Sequence, residues 1–299
     1  MRLITLFLAA SLIAGCAAGQ SGQPSPTSVP TTGAVTSPPE TTASTSTEPV
    51  ESTSSTTVTP TTTLLGAPAP SWLGTRIVPL DENGDGISQP TPPELLNRQF
   101  HTVDLLPPPF DDMFQSTIGP VPSDVLARST WHPECPVGVD ELSYVTVSFY
   151  GFDGVFHTGE LIVNAAWAAE IVDIFELLHE NRYPIEQMQV VTVEMDDALP
   201  TGDGNNTSSF TCRTAVGEGS WSMHASGLAV DINPFHNPYE KGELILPELA
   251  TAYADRDQNL PGMLFQDSVA VVAFESIGWT WGGNWRTLKD YMHFSSNGR

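Results

Sequence analysis

Three polar side chains, His224, Asp231 and His293, interrupt sequence that would otherwise read as apolar strand. Two imidazoles and a carboxylate form a donor set for a divalent metal. For zinc, three protein ligands leave the fourth position open, as in a catalytic rather than a structural site. A closed structural site commonly uses four cysteines, whereas this chain has 3, with no Cys-x2-Cys spacing. Spacing alone is not specific, because 7 histidines and 35 acidic residues make a His-x6-Asp pair expected somewhere. The remaining histidines, His101, His132, His157, His179 and His236, read as hydrogen-bonded core or surface residues.

The company of the three residues is more specific. Ser222-Met-His224-Ala-Ser-Gly227-Leu-Ala229-Val-Asp231 has the pattern Ser-x-His-x-x-Gly-x-Ala-x-Asp, and Asp290-Tyr-Met-His293-Phe follows as Asp-x-x-His. With Asn206-Thr-Ser-Ser-Phe-Thr-Cys-Arg213, Asp231-Ile-Asn-Pro-Phe-His-Asn-Pro-Tyr239 and Trp281-Gly-Gly-Asn-Trp285, these segments resemble the zinc D-alanyl-D-alanine carboxypeptidase and L-alanyl-D-glutamate endopeptidase family. The resemblance covers roughly residues 135–299. It implies the hedgehog/DD-peptidase-like α+β fold, a small antiparallel sheet with flanking helices. It implies Zn2+ held by His224, Asp231 and His293, with Asp290 at the position of the general base and Arg213 in the cleft, binding substrate and stabilising charge. Ser222 would bind substrate or support a ligand. The implied activity is hydrolysis of peptidoglycan stem peptides by a metal-activated water, of the D-Ala-D-Ala carboxypeptidase type. Asp290, where many carboxypeptidases have Glu, leans towards the L-alanyl-D-glutamate endopeptidases. A zinc-containing, non-catalytic cell-wall-binding module is a further alternative, and would lack the base or the arginine. A solute-binding lipoprotein would need two α/β lobes, and no such rhythm is present.

Several elements must position these side chains. Val145, Val147 and Phe149 alternate with Thr146, Ser148 and Tyr150, the period of a half-buried strand. Asn164 is a predicted N-cap, and Ala168, Ile171, Val172, Phe175 and Leu178 recur at helical spacing to about Asn181. The β-branched run Met188 to Met195 predicts a strand, as do Gly227 to Asn233 and Tyr291 to Ser295. A further helix is expected from a cap at Asp267 to about Ser276, ended by Gly278. Trp279, Trp281 and Trp285 are read first as packing, with the lining of a peptide cleft as the alternative. Asp196, Asp197 and Asp203 read as a solvated loop.

The N-terminal part has a different composition. Residues 1–15 read as a lipoprotein signal peptide, with Arg2, an apolar run and Ile13-Ala14-Gly15-Cys16 as a lipobox that marks Cys16 for lipidation. Residues 16–67, rich in Thr, Ser and Pro, are expected to be a disordered tether. Residues 68–134 are expected to be an irregular N-terminal extension, and residues 135–299 the zinc peptidase domain. Within the extension, Asp81-Glu-Asn-Gly-Asp-Gly86 copies the start of a calcium loop, but Pro92 replaces the closing glutamate, so a solvated turn is the main expectation. In an exported compartment Cys135 and Cys212 are predicted to form a disulfide, with two buried thiols as the alternative. The formal net charge of −24 argues against nucleic acid as a partner. The chain is therefore expected outside the cytoplasm, a monomer joined to the membrane through its lipid, acting at the cell envelope.

Overall fold

The computed structural model describes residues 65–215 and 219–298. The signal peptide, Cys16 and nearly all of the expected tether lie outside these residues. Among the described residues no helix is long and apolar enough to cross a membrane.

The fold is α+β, built from small sheets. Strand β1 (Ser116–Pro120) is followed by a short helix α1 (Ser123–Arg128), then by the long strands β2 (Leu142–Gly151) and β3 (Phe156–Asn164). The three strands pair antiparallel in the order β1-β2-β3. Val145 and Val147 are fully buried and Phe149 nearly so, as the alternation requires. β3 escapes a reading by period because it is buried on both faces, with His157 and Glu160 inside beside Leu161, Ile162 and Val163.

Helix α2 (Ala168–Glu180) packs its apolar face on this sheet. Asn164 does act as a cap, accepting the Ala166 N–H, but for a single 3-10 turn (Ala165–Trp167) ahead of α2. After α2, β4 (Pro184–Ile185) adds parallel to β2, and β5 (Gln187–Met188) pairs parallel with β6 (Asn206–Thr207). The expected strand from Met188 to Met195 is therefore mostly wrong. Only its first residue is strand, and Thr192, whose hydroxyl accepts the Met195 N–H, opens the short helix α3 (Val193–Asp196). Local capping outweighs β-branching there because residues 193–197 lie on the surface, without a sheet partner.

The remaining strands are short: β7 (Ala229–Asp231), β8 (Tyr239–Lys241), β9 (Leu244–Leu246), β10 (Thr280–Trp281), β11 (Lys289–Asp290) and β12 (His293–Ser295), with helix α4 (Val269–Ser276) between β9 and β10. They form two three-stranded antiparallel sheets, β10-β12-β7 and β11-β8-β9, rather than a single sheet. Helix α4 begins after Ser268, one residue later than expected, and Gly278, at φ +84°, follows its end. Trp279 and Trp281 are buried in the core with Phe274 and Phe294, which confirms their packing role.

Residues 65–134 share one compact unit with the rest. Val78, Leu95 and Phe100 form a second core with Phe235, Ile245, Leu249 and Tyr253. Arg98, 2 % exposed, makes two hydrogen bonds of 2.7 and 2.6 Å to the Glu186 carboxylate and a third to the Asp203 carbonyl. Asp203 itself is buried, accepting the Gly74 N–H and the Thr201 hydroxyl, so the solvated-loop reading fails for this residue. The Cys135–Cys212 disulfide is present, with Cα atoms 5.9 Å apart, and it closes 77 residues of sequence.

Candidate metal centre

The site is assembled by strand pairing. β12 runs antiparallel to β7 in a register that sets His293 directly opposite Asp231, so that the two side chains share one face. His224 enters from the 3-10 turn Met223–Ser226, which leads into β7. Ser222 starts that turn by accepting the His224 N–H, and Gly227, in the left-handed conformation at φ +63°, ends it. The His-x6-Asp spacing thus corresponds to one capped turn followed by a short strand.

The ligating atoms of His224, Asp231 and His293 lie within 4.8 Å of one another. His224 Nε2 is 3.2 Å from Asp231 Oδ2 and 3.2 Å from His293 Nδ1, and His293 Nδ1 is 3.0 Å from Asp231 Oδ1. On its other side, His224 Nδ1–H donates to the Ser209 carbonyl, which leaves the Nε2 lone pair facing the cluster. Two imidazole nitrogens 3.2 Å apart, each beside a carboxylate oxygen, need a positive centre between them, either a proton or a cation. The donor set and its burial fit a divalent metal. Burial works to raise the Asp231 carboxyl, but His224 and His293 outweigh it and hold the carboxyl well below the usual range.

Asp290 stands on β11, opposite Tyr239 of β8. Its Oδ1 is buried with no hydrogen-bond partner among the described residues. Burial pushes its carboxyl up to about 7, with His293 and Arg213 pulling against the rise and Asp231 adding to it. A buried acceptor without a partner next to a metal-binding cluster is suited to receive a proton from a reactant. Arg213 is more exposed. Its Nε lies 3.8 Å from Asp196 Oδ1, so it forms a surface ion pair at the rim, while its charge still reaches Asp290. The structure thus brings His224, Asp231, His293 and Asp290 together, with Ser222 beneath His224 and Arg213 at the edge.

Sequence reading passed over two contributors, the Ser209 carbonyl and Gly282, and set a cleft role for Trp285 second to packing. The Ser209 carbonyl fixes the His224 ring, and nothing in a serine signals that role. Trp285 does face the site, with its ring 5.4 Å from that of His293 and its Nε1 buried without a partner. Gly282 lets the Trp281–Trp285 turn lie against Asp290, since a Cβ there would be 2.4 Å from the Asp290 carbonyl oxygen. The aromatic-glycine run was the available signal for the last two. His132 also lies 3.4 Å from Cys212 Sγ, but both cysteine sulfurs are committed to the disulfide.

Residues 216–296 match the family model of D-alanyl-D-alanine carboxypeptidase. The span includes Ser222, His224, Asp231, Asp290 and His293, and leaves Arg213 and the extension outside. Comparisons with curated proteins and with solved structures gave no significant match. The family match, together with a His/Asp cluster able to hold a metal, supports a peptidase that acts on cell-wall peptides.

Proposed function

We propose that the protein is a zinc-dependent peptidase of the hedgehog/DD-peptidase fold. It hydrolyses peptidoglycan stem peptides as a D-Ala-D-Ala carboxypeptidase, tethered to the outer face of the cytoplasmic membrane by lipid at Cys16. The observation that carries the reading is the convergence of His224, Asp231 and His293 beside the unpartnered Asp290. His224 Nε2, the Asp231 carboxylate and His293 Nδ1 would hold the metal. When bound, zinc supplies Lewis acidity, which lowers the pKa of water towards about 7 and polarises a carbonyl.

The chain's own residues supply the rest. Ser209 keeps His224 in the tautomer that offers Nε2. An Asp290 oxygen takes the proton released as water adds to the scissile carbonyl, and returns it to the leaving amine as the C–N bond breaks. The Arg213 guanidinium, at the rim, would meet negative charge on the substrate. A long flexible tether would let the domain reach a polymer some distance from the membrane.

Mass spectrometry of defined tetrapeptide and pentapeptide stems tests this, with the protein incubated with zinc or with a zinc-selective chelator. Loss of one terminal alanine, stopped by the chelator, is the expected result. Cleavage after L-alanine would establish the endopeptidase reading, which Asp290 in place of Glu favours. No product from a protein that binds one zinc per chain would overturn the enzymatic reading.

A further inference from the structure

We propose that His132, Cys135 and Cys212 form a second metal site once the Cys135–Cys212 disulfide is reduced, with two sulfurs and one imidazole for a divalent cation of the zinc class. Disulfide and metal are then alternative fastenings of the same two segments. The site does not depend on the peptidase reading.

The donor atoms of the three residues lie within 4.8 Å of one another. His132 Nδ1–H donates to Glu134 Oε2 at 2.8 Å, so its Nε2 lone pair faces Cys212 Sγ at 3.4 Å. In the disulfide that sulfur has no proton to give, and one lone pair looks onto another. A tetrahedral zinc, with bonds of about 2.0 Å to nitrogen and about 2.3 Å to sulfur, sets its nitrogen and sulfur ligands about 3.5 Å apart. The nitrogen and the sulfur already stand at that separation. A carboxylate on the far ring nitrogen is also the common support of a metal-bound imidazole, because it fixes the tautomer and the ring orientation.

Contacts other than the disulfide hold the donors in place. His132 and Cys135 share one turn, closed by the Cys135 N–H donating to the His132 carbonyl at 3.0 Å. The His132 N–H donates in turn to Cys135 Sγ at 3.2 Å, a bond that favours a thiolate there. The Cys212 N–H donates to Thr130 Oγ1 at 2.9 Å, and the Cys212 side chain packs in a core with Val125, Val137 and Phe210. His132 is on the surface, which gives a reductant and a cation access. On reduction, a dithiol passes two electrons and two protons to the disulfide and is itself oxidised to a disulfide. The cation then displaces the two thiol protons. On a tetrahedral zinc the sulfurs stand about 3.7 Å apart, a span that Cα atoms 5.9 Å apart allow. Two thiolates and an imidazole select zinc-class metals over calcium and magnesium.

The test is titration of cobalt(II) chloride, followed by absorption, into the full-length chain carrying Cys16→Ser, so that the pair supplies the only thiols. It is run on the oxidised protein and on protein reduced with a phosphine that is removed beforehand. The expected result is a thiolate-to-cobalt charge-transfer band in the near ultraviolet for the reduced protein and none for the oxidised one. The centre at His224 has no sulfur and cannot produce that band. Elemental analysis after zinc loading should find one more zinc per chain in the reduced protein than in the oxidised one. His132→Ala, at an exposed position, should bind cobalt about tenfold or more weakly when reduced, and Glu134→Gln about tenfold more weakly. If the reduced chain does not melt cooperatively, zinc should restore the transition in the parent chain and not in His132→Ala; no restoration overturns the site. Absence of the band from a reduced protein that melts cooperatively overturns it as well. Parental cobalt affinity in reduced His132→Ala does the same.

Discussion

At the scale of single residues, the centre depends on which atom each side chain offers. His224 is committed at Nδ1 to Ser209, so Nε2 is its only available donor, and Asp231 is held ionised between two imidazoles. Removing either ligand takes away the donor itself, whereas removing Asp290 leaves the three donors in place. His224→Ala and Asp231→Asn are therefore expected to lose zinc and turnover together. Asp290→Ala should keep about one zinc per chain while kcat falls by about 10²–10⁴. Elemental analysis alongside peptide cleavage separates these cases, and unchanged kcat in Asp290→Ala would remove it from the role of base.

At the scale of elements, the geometry rests on two short strands and one turn. β7 and β12 set Asp231 across from His293, but His224 reaches them only because the turn Met223–Ser226 ends sharply at Gly227. Gly227 combines a positive φ with close packing. A Cβ there would lie 2.6 Å from the Asn164 amide nitrogen and 2.9 Å from the Val163 carbonyl carbon, both backbone atoms that cannot swing away. Gly227→Ala is expected to cost about 2–4 kcal/mol, from the left-handed backbone and the overpacking together. Urea denaturation measures this as a lower midpoint with an unchanged m-value. A midpoint equal to the wild type would mean that β3 and the turn move apart at no cost.

At the scale of the whole molecule, the extension is part of the folded unit. The Arg98–Glu186 pair is buried, and His236 beside it bonds the Arg98 carbonyl through Nε2. Arg98→Ala leaves Glu186 buried without its cation and is expected to destabilise by about 3–5 kcal/mol, measured by denaturant unfolding. Burial lowers the His236 pKa from 6.5 to about 4, outweighing the Glu186 charge and the bond to the Arg98 carbonyl, which pull it upward, while the Arg98 and Arg256 charges add to the lowering. Below pH 6.5 the unfolded chain gains a proton that the folded chain refuses. The stability held above that pH is therefore lost as pH falls towards 4, by an amount of order 3 kcal/mol. Unfolding at pH 7 and pH 4.5 should show a larger loss in the wild type than in His236→Asn. Equal losses would mean that His236 stays protonated when folded. Opening the disulfide, which closes 77 residues of sequence, is expected to cost about 2–5 kcal/mol, measured as a lower Tm in reductant.

The sequence by itself determined the α+β class, the strand around Val145, the α2 face, the packing role of Trp279 and Trp281, and the three side chains, His224, Asp231 and His293, that converge as a candidate metal centre. Each depends on local period or on a motif whose spacing matches one turn and one strand. The cysteine pair was legible for a different reason, since the expected export and lipidation at Cys16 would leave two cysteines with only one way to join. Tertiary structure alone decided the rest. β3 was hidden because a strand buried on both faces shows no alternation, and residues 193–196 became helix because a capped surface segment has no strand to pair with. The buried state of Asp203, the Ser209 carbonyl behind His224 and the approach of His132 to Cys212 all join segments far apart in the chain. Such contacts leave no periodic trace, because they are fixed by how the two cores pack and not by the residues on either side.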